Sequence, residues 1–185
     1  MKSVNYTKQL EVVAEYDVIV AGSGPAGICA AVAAAREGAK VALIERYGVV
    51  GGNLTAGYVG PILGMVGKGT MRDELVELLG VPQNDMIGRT GFAHDFERAK
   101  MTLARFVSHP NIDVYLQTTV TDVIKEGDSL KGLVVAAGEG TFALLGAITV
   151  DATGDGLVSY LAGAPTEQGR EDGRMQPVTL EFTIS

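Results

Sequence analysis

DVIVAGSGPAGICAAVAAAREGAKVALIERYGVVGGNLT, residues 17–55, opens on an apolar run and closes on a paired glycine. The run from Tyr16 to Ala21 breaks into Gly22-Ser23-Gly24-Pro25-Ala26-Gly27, continues through an alanine-rich segment and returns to an apolar run over Val41 to Ile44, ended by Glu45. This order reads as strand, turn, helix, strand. In such a unit Gly22 permits the tight turn out of the strand, Gly24 lets the backbone approach a pyrophosphate, and Gly27 lets the helix pack closely on the strand. Pro25 suits the first helical position, because its missing N–H is not needed there, and the free N–H groups that follow point at an anion. Glu45 falls at a strand end about 20 residues beyond the glycines, where a carboxylate can accept both hydroxyl protons of an adenosine ribose. The stretch therefore describes a dinucleotide site, and its alternative is a glycine-rich turn in an ordinary βα unit.

The rest of the composition narrows the setting. The chain has 185 residues, enough for one domain with a sizeable core or one domain plus part of another. Fifteen Lys and Arg against 22 Asp and Glu give a net charge of −7, which disfavours nucleic acid and anionic membrane surfaces as partners. No stretch approaches the roughly 20 apolar residues of a membrane span, and residues 1–15 lack the pattern of a secretory signal and read as an N-terminal arm. The expected compartment is the cytoplasm. One cysteine, Cys29, supports neither a disulfide framework nor a cysteine metal site, and reads as a small apolar helix residue. No metal site is expected.

Beyond Glu45 the chain reads Arg46-Tyr47-Gly48-Val49-Val50-Gly51-Gly52-Asn53-Leu54-Thr55. GSGPAG, Glu45 followed by Arg46, and the GGNLT loop together resemble the FAD-dependent oxidoreductases of the glutathione-reductase fold. The resemblance implies an α/β fold, a Rossmann-like parallel sheet with helices on its faces and an inserted antiparallel β-meander. It implies FAD as the cofactor and places Gly51, Gly52, Asn53 and Thr55 against it. The physical reason is that glycines bring backbone N–H groups to an anion, while Asn and Thr add short polar side chains.

Further along, Thr70 to Leu79 has helical spacing with Thr70 as N-cap and Gly80 as stop, and a second helix is expected from about His94 to Ser108. His94 and His109 are the histidines available for proton transfer, though nothing in the sequence pairs either with a partner. Ile112 to Leu116 reads as a further parallel strand. Val120–Lys125, Leu130–Ala137 and Thr141–Leu145, separated by glycine turns, read as a meander. By the resemblance, the Val120 backbone contacts adenine. Ala147 to Val150 then leads through Asp151 and Ala152 into Thr153-Gly154-Asp155, matching the second cofactor-facing turn of that fold; read alone, this is a strand-to-helix turn with Asp155 as a cap.

The resemblance divides the chain into an arm (1–15), an FAD-binding domain (16–164) and the start of a truncated substrate-binding region (165–185). Arg170 and Arg174 could face a carboxylate substrate there, but their interleaved acids favour a solvated loop. Val178 to Ile184 alternates as a half-buried strand and, left open, would invite pairing with a second copy. The function implied is hydride transfer between a small-molecule substrate and flavin, with no catalytic residue assigned. Its alternative is a truncated nucleotide-binding module without turnover of its own.

Overall fold

The computed structural model describes residues 3–62, 69–81 and 94–182. Thr183 and Ile184 of the expected last strand lie outside the described residues. One six-stranded sheet organises the chain, in the order β3-β2-β1-β6-β5-β4. Strands β1 (Val12–Ala21), β2 (Val41–Ile44), β3 (Ile112–Tyr115) and β6 (Gly140–Asp151) run parallel. Strands β4 (Thr119–Glu126) and β5 (Ser129–Ala137) complete it as antiparallel neighbours.

Helix α1 (Pro25–Arg36) forms because its apolar positions recur at helical spacing and nothing in it is bulky at the seam. It buries Gly27, Ile28, Ala31, Val32 and Ala35 against Val20, Val41, Leu43 and Ile112 of the sheet. Full burial of Ile28 alone contributes on the order of 1.5–3 kcal/mol. Helices α2 (Met71–Leu78) and α3 (Phe96–Phe106) add Leu75, Val76, Ala99 and Leu103 to the same layer. On the opposite face the meander folds back over the sheet. Val120, Leu133, Val135, Phe142 and Leu144 share a second core with Ile19, Ala42 and Ile44. At the edge of that core the Tyr16 hydroxyl meets Asp113 Oδ2 at 2.9 Å and the Tyr115 hydroxyl at 2.7 Å, and burial followed by these two neighbours holds its pKa far above the usual tyrosine value. The expected architecture, a parallel sheet with helices and an antiparallel meander, is the one observed.

Three details differ from the sequence reading. Strand β1 begins at Val12, so the last residues of the expected arm pair with β6, from Val12 opposite Ala143 onward. The third meander strand and the run at 147–150 are one continuous strand, β6. Gly146, which lies between the two expected runs, sits under Ile19: a Cβ there would lie 2.7 Å from Ile19 Cγ1, so the glycine makes room across the sheet and no turn forms. Finally, Val178 to Phe182 forms no strand and is fully exposed; alternation alone does not make a strand without a neighbour to accept its hydrogen bonds.

Candidate functional site

At the carboxyl end of β1 the chain turns through Gly22, whose φ of +94° is a left-handed conformation that favours glycine. Its N–H donates to the Ile44 carbonyl at 2.8 Å, tying the turn to the end of β2. A side chain on Gly22 would run into the Ala152 carbonyl, and one on Gly27 would overlap the Gly22 carbonyl. Gly24 differs: a Cβ built on it meets nothing within 4 Å. It is the N-cap of α1 and supplies no side-chain cap, so the first-turn N–H groups stay available beside open space. A helix start of this kind holds anions.

The paired glycines close in from the other side. The Gly51 N–H donates to the Ser23 carbonyl at 2.8 Å, and a Cβ on Gly52 would lie 2.9 Å from Gly24 Cα. Gly51 has no room for a side chain, because Leu103 Cδ1 and Thr55 Cγ2 each stand 2.7 Å from its Cβ position. Thr55 is fully buried and donates its hydroxyl to the Val50 carbonyl at 2.7 Å. Gly51 and Thr55 therefore shape the loop from within, while Gly52 and Asn53 reach its open surface.

The third side is the turn after β6. The Ala152 N–H donates to the Ala21 carbonyl at 2.8 Å, which sets this turn beside the first. Asp151 organises it: Oδ1 accepts from the Thr153 N–H and hydroxyl at 3.2 and 2.7 Å, and Oδ2 from the Ser159 N–H and hydroxyl at 2.8 and 2.9 Å. Burial pushes this carboxyl's pKa up, but the donors from Ser159 and Thr153 outweigh it and the net shift is downward. Gly154, at φ +85°, has nothing within 4 Å of its Cβ position. The N-cap of the short helix α4 (Leu157–Leu161) is Gly156, and the Thr153 hydroxyl oxygen accepts the Leu157 N–H at 2.9 Å; Asp155 is free of the capping role.

These three turns enclose a cleft of about 520 Å³, within the range of small-molecule sites. Of the residues singled out in the sequence, Gly22, Gly24, Pro25, Ala26, Glu45, Arg46, Gly52, Asn53, Val120, Thr153, Gly154 and Asp155 line it. Ser23, Gly27, Gly51 and Thr55 stand behind that surface. Sequence reasoning missed Thr118 and Thr119, which line the cleft beside Val120, together with Tyr47, Ala56, Gly57 and Asp151. The two threonines follow Gln117, a non-glycine residue at φ +50°; that turn brings them to the cleft and has no glycine to mark it.

His94 does not line the cleft. It is buried, with Nε2 2.6 Å from the Leu54 carbonyl and Nδ1 3.1 Å from the Gly60 carbonyl, and it fastens the segment after the glycine pair to the start of α3. The cap of α3 is Asp95, which accepts the Arg98 N–H at 2.9 Å. His109 accepts the Asn111 N–H within its own turn. Cys29 has its pKa raised, by burial first and the nearby Glu74 second, which suits an unreactive packing thiol. Arg170 and Arg174 both lie near Asp172, at 3.6 and 3.7 Å, on an exposed loop. Among the described residues no group of three His, Cys, Asp or Glu could hold a metal ion, and no helix is long and apolar enough to cross a membrane.

The cleft's donors and shape fit an adenine dinucleotide: uncapped helix N–H groups, a glycine open to the cleft, and a carboxylate one strand away. Fold and cleft together have the form of a dinucleotide-binding domain of the Rossmann type. The family model described as FAD dependent oxidoreductase matches residues 17–185, and the chain belongs to that family, whose cofactor is FAD. Among characterised proteins it is 34% identical over 94 residues to the soluble pyridine nucleotide transhydrogenase of Chromohalobacter salexigens, covering 48% of this chain and 19% of that one. It is 38% identical over 74 residues to the Mycobacterium tuberculosis enzyme of the same name, covering 40% and 14%. Among solved structures, Thermovibrio ammonificans THI4 superposes with a TM-score of 0.61 at 25% identity, over 80% of this chain and 61% of that one. The chain thus spans a fifth or less of the length of these curated relatives.

Proposed function

We propose that this chain is the nucleotide-holding portion of an oxidoreductase that passes a hydride between a small-molecule substrate and FAD. The observation that carries the reading is the convergence of three close-approach turns on one cleft, with Gly24 and Gly154 both open to it. In this reading the α1 start and Gly52 hold the pyrophosphate, Glu45 faces the adenosine ribose, and the backbone at Val120 borders the adenine. Asn53 and the Thr153–Asp155 turn border the remainder of the cofactor. Gly51, Thr55 and Gly27 hold these surfaces in place. Bound FAD supplies the redox chemistry, since its ring accepts and releases a hydride; the protein supplies orientation, anion binding and exclusion of water. The net charge of −7 and the single cysteine, which needs no oxidising compartment, support a cytoplasmic setting.

A second reading, a nucleotide-binding module without turnover, is favoured by His94: it is engaged by two backbone carbonyls, so among the described residues neither histidine reaches the cleft. FAD binding to the purified chain separates the two. Co-elution of flavin on gel filtration, with FAD bound at least about tenfold more tightly than ADP, supports the oxidoreductase portion, tenfold being about 1.4 kcal/mol from contacts beyond the adenosine half. Equal affinity for FAD and ADP supports the module, and absence of binding to either refutes both.

A further inference from the structure

The loop that follows the glycine pair is anchored separately at its start and at its exit. Its start is fixed by Gly51 and Thr55, which donate to the Ser23 carbonyl at 2.8 Å and the Val50 carbonyl at 2.7 Å. Its exit is bound to His94, whose ring spans the Leu54 and Gly60 carbonyls and so closes the base of the segment between them. Inside that base the Val59 N–H donates to the Asn53 carbonyl at 2.8 Å and the Gly57 N–H to the Gly52 carbonyl at 3.0 Å. Asn53, Ala56 and Gly57, which line the cleft, are thereby tied to the residues that His94 holds.

The two ring contacts fix what the ring must carry. Nε2 lies 2.6 Å from the Leu54 oxygen and Nδ1 3.1 Å from the Gly60 oxygen. A carbonyl oxygen only accepts, so each contact is a hydrogen bond only where the facing nitrogen bears a proton. Neutral imidazole has one N–H and imidazolium two, so only the imidazolium meets both carbonyls. His94 is buried, and a carbonyl left unmet there is costly. The acids beside it in sequence are engaged elsewhere: Asp95 accepts the Arg98 N–H at 2.9 Å and Glu97 pairs with Lys100 at 2.6 Å.

The same turn contains Tyr58 at φ +55°, a left-handed conformation uncommon for a bulky residue. Its ring packs on Phe96 with centroids 4.9 Å apart, and Phe96 meets the His94 ring at 5.0 Å. His94 and Phe96 thus form the polar and apolar halves of one clamp at the start of α3.

We propose that His94, as an imidazolium, is a positioning residue for the part of the cofactor beyond its ADP half: by donating one N–H to each end of the 54–60 segment it sets Asn53, Ala56 and Gly57 against the bound ligand. This role rests on reading the cleft as the FAD site. The ADP half does not depend on the clamp. Gly51 anchors the loop start beside Gly24, and the Thr118 N–H donates to the Glu45 carbonyl at 2.9 Å on the adenosine side.

The test is titration of the full chain and of His94→Phe with FAD and with ADP, each protein first shown to melt cooperatively. Phenylalanine keeps a ring against Phe96 and removes both donors. FAD affinity should fall at least about tenfold, the effect of one lost contact to a charged group, while ADP stays within about threefold of the parent. His94→Gln, which keeps an N–H donor for one carbonyl, should recover part of the FAD loss. A role in stability alone lowers the melting temperature and leaves the FAD-to-ADP ratio unchanged; that result in a folded His94→Phe overturns the proposal. Nitrogen-15 NMR of the parent, with the His94 ring assigned through its contact with Phe96, decides the donor count even if neither variant folds. Two protonated ring nitrogens support the clamp, and a single N–H overturns it. Equal affinity of the folded parent for FAD and ADP overturns the oxidoreductase reading and the proposal with it, and the parent titrations alone identify that outcome.

Discussion

Gly24→Ala should uncouple stability from cofactor binding. Gly24 has φ −63° and ψ −177°, a conformation any residue adopts, and a Cβ there meets no atom within 4 Å. Gly→Ala at such a position restricts the unfolded chain and stabilises by about 0.4–1 kcal/mol, or roughly 1–4 °C in Tm for a chain of this size. The same methyl group projects into the space assigned to the pyrophosphate. Displacing one backbone contact to a charged oxygen costs about 1.5–3 kcal/mol, or about 10- to 100-fold in FAD affinity. Gly27→Ala is the control: its Cβ would overlap the Gly22 carbonyl, and forcing α1 away from the turn costs about 1–3 kcal/mol of stability. Thermal melts without ligand, paired with flavin-fluorescence titrations, measure both quantities. The reasoning fails if Gly24→Ala lowers Tm as Gly27→Ala does, or if it binds FAD as tightly as the parent.

Two other perturbations separate support from contact. Thr55→Val keeps the shape but leaves the buried Val50 carbonyl without its hydroxyl donor; stability should fall by about 1–3 kcal/mol in urea melts while FAD affinity stays within about threefold, because Thr55 stands behind the cleft surface. Asp151 titrates below its usual value in the fold, so its stabilising bonds are fully present above an unfolded pKa of about 3.9 and are lost as pH falls through the lower folded value. Urea midpoints measured at pH 7 and pH 3 should therefore converge more for Asp151→Asn than for the parent, and an identical acid loss in the two proteins would refute the assignment.

What the sequence made legible is the backbone chemistry. Glycines announce their role because they adopt a left-handed φ without strain and allow a close approach, so Gly22, Gly27, Gly51 and Gly154 can be found without coordinates. Side-chain engagement is less visible. Glu45 stands out as an acid at a strand end, yet nothing in the string shows that Ser23 and Tyr47 already occupy three of its acceptor sites. Thr118 and Thr119 reach the cleft through a turn at Gln117 that no glycine marks. Gly146 misleads in the opposite direction, since a glycine that accommodates Ile19 across the sheet looks the same in sequence as one that ends a strand.

The continuity of β6 explains why one cleft can recruit residues 129 positions apart in the chain, Gly22 and Asp151. From β1 the chain crosses through α1 to β2 on one side; after the meander it returns as β6 on the other. The carboxyl end of β1 is thus the point where the connections leave in opposite directions, and there the loops diverge and a crevice opens. The Ile44 and Ala152 contacts of Gly22 fall on opposite sides of that point. A glycine is required where β1 ends because both neighbours come within contact of it. The same arrangement brings Glu45, just after β2, and Thr153, beyond β6, to the cleft that the α1 start borders. Had the meander ended in a turn at Gly146, the 151–156 turn would have had no strand pairing to hold it in register with β1. The pairing from Leu144 to Asp151, in constant register with β1, is what connects the meander to the site.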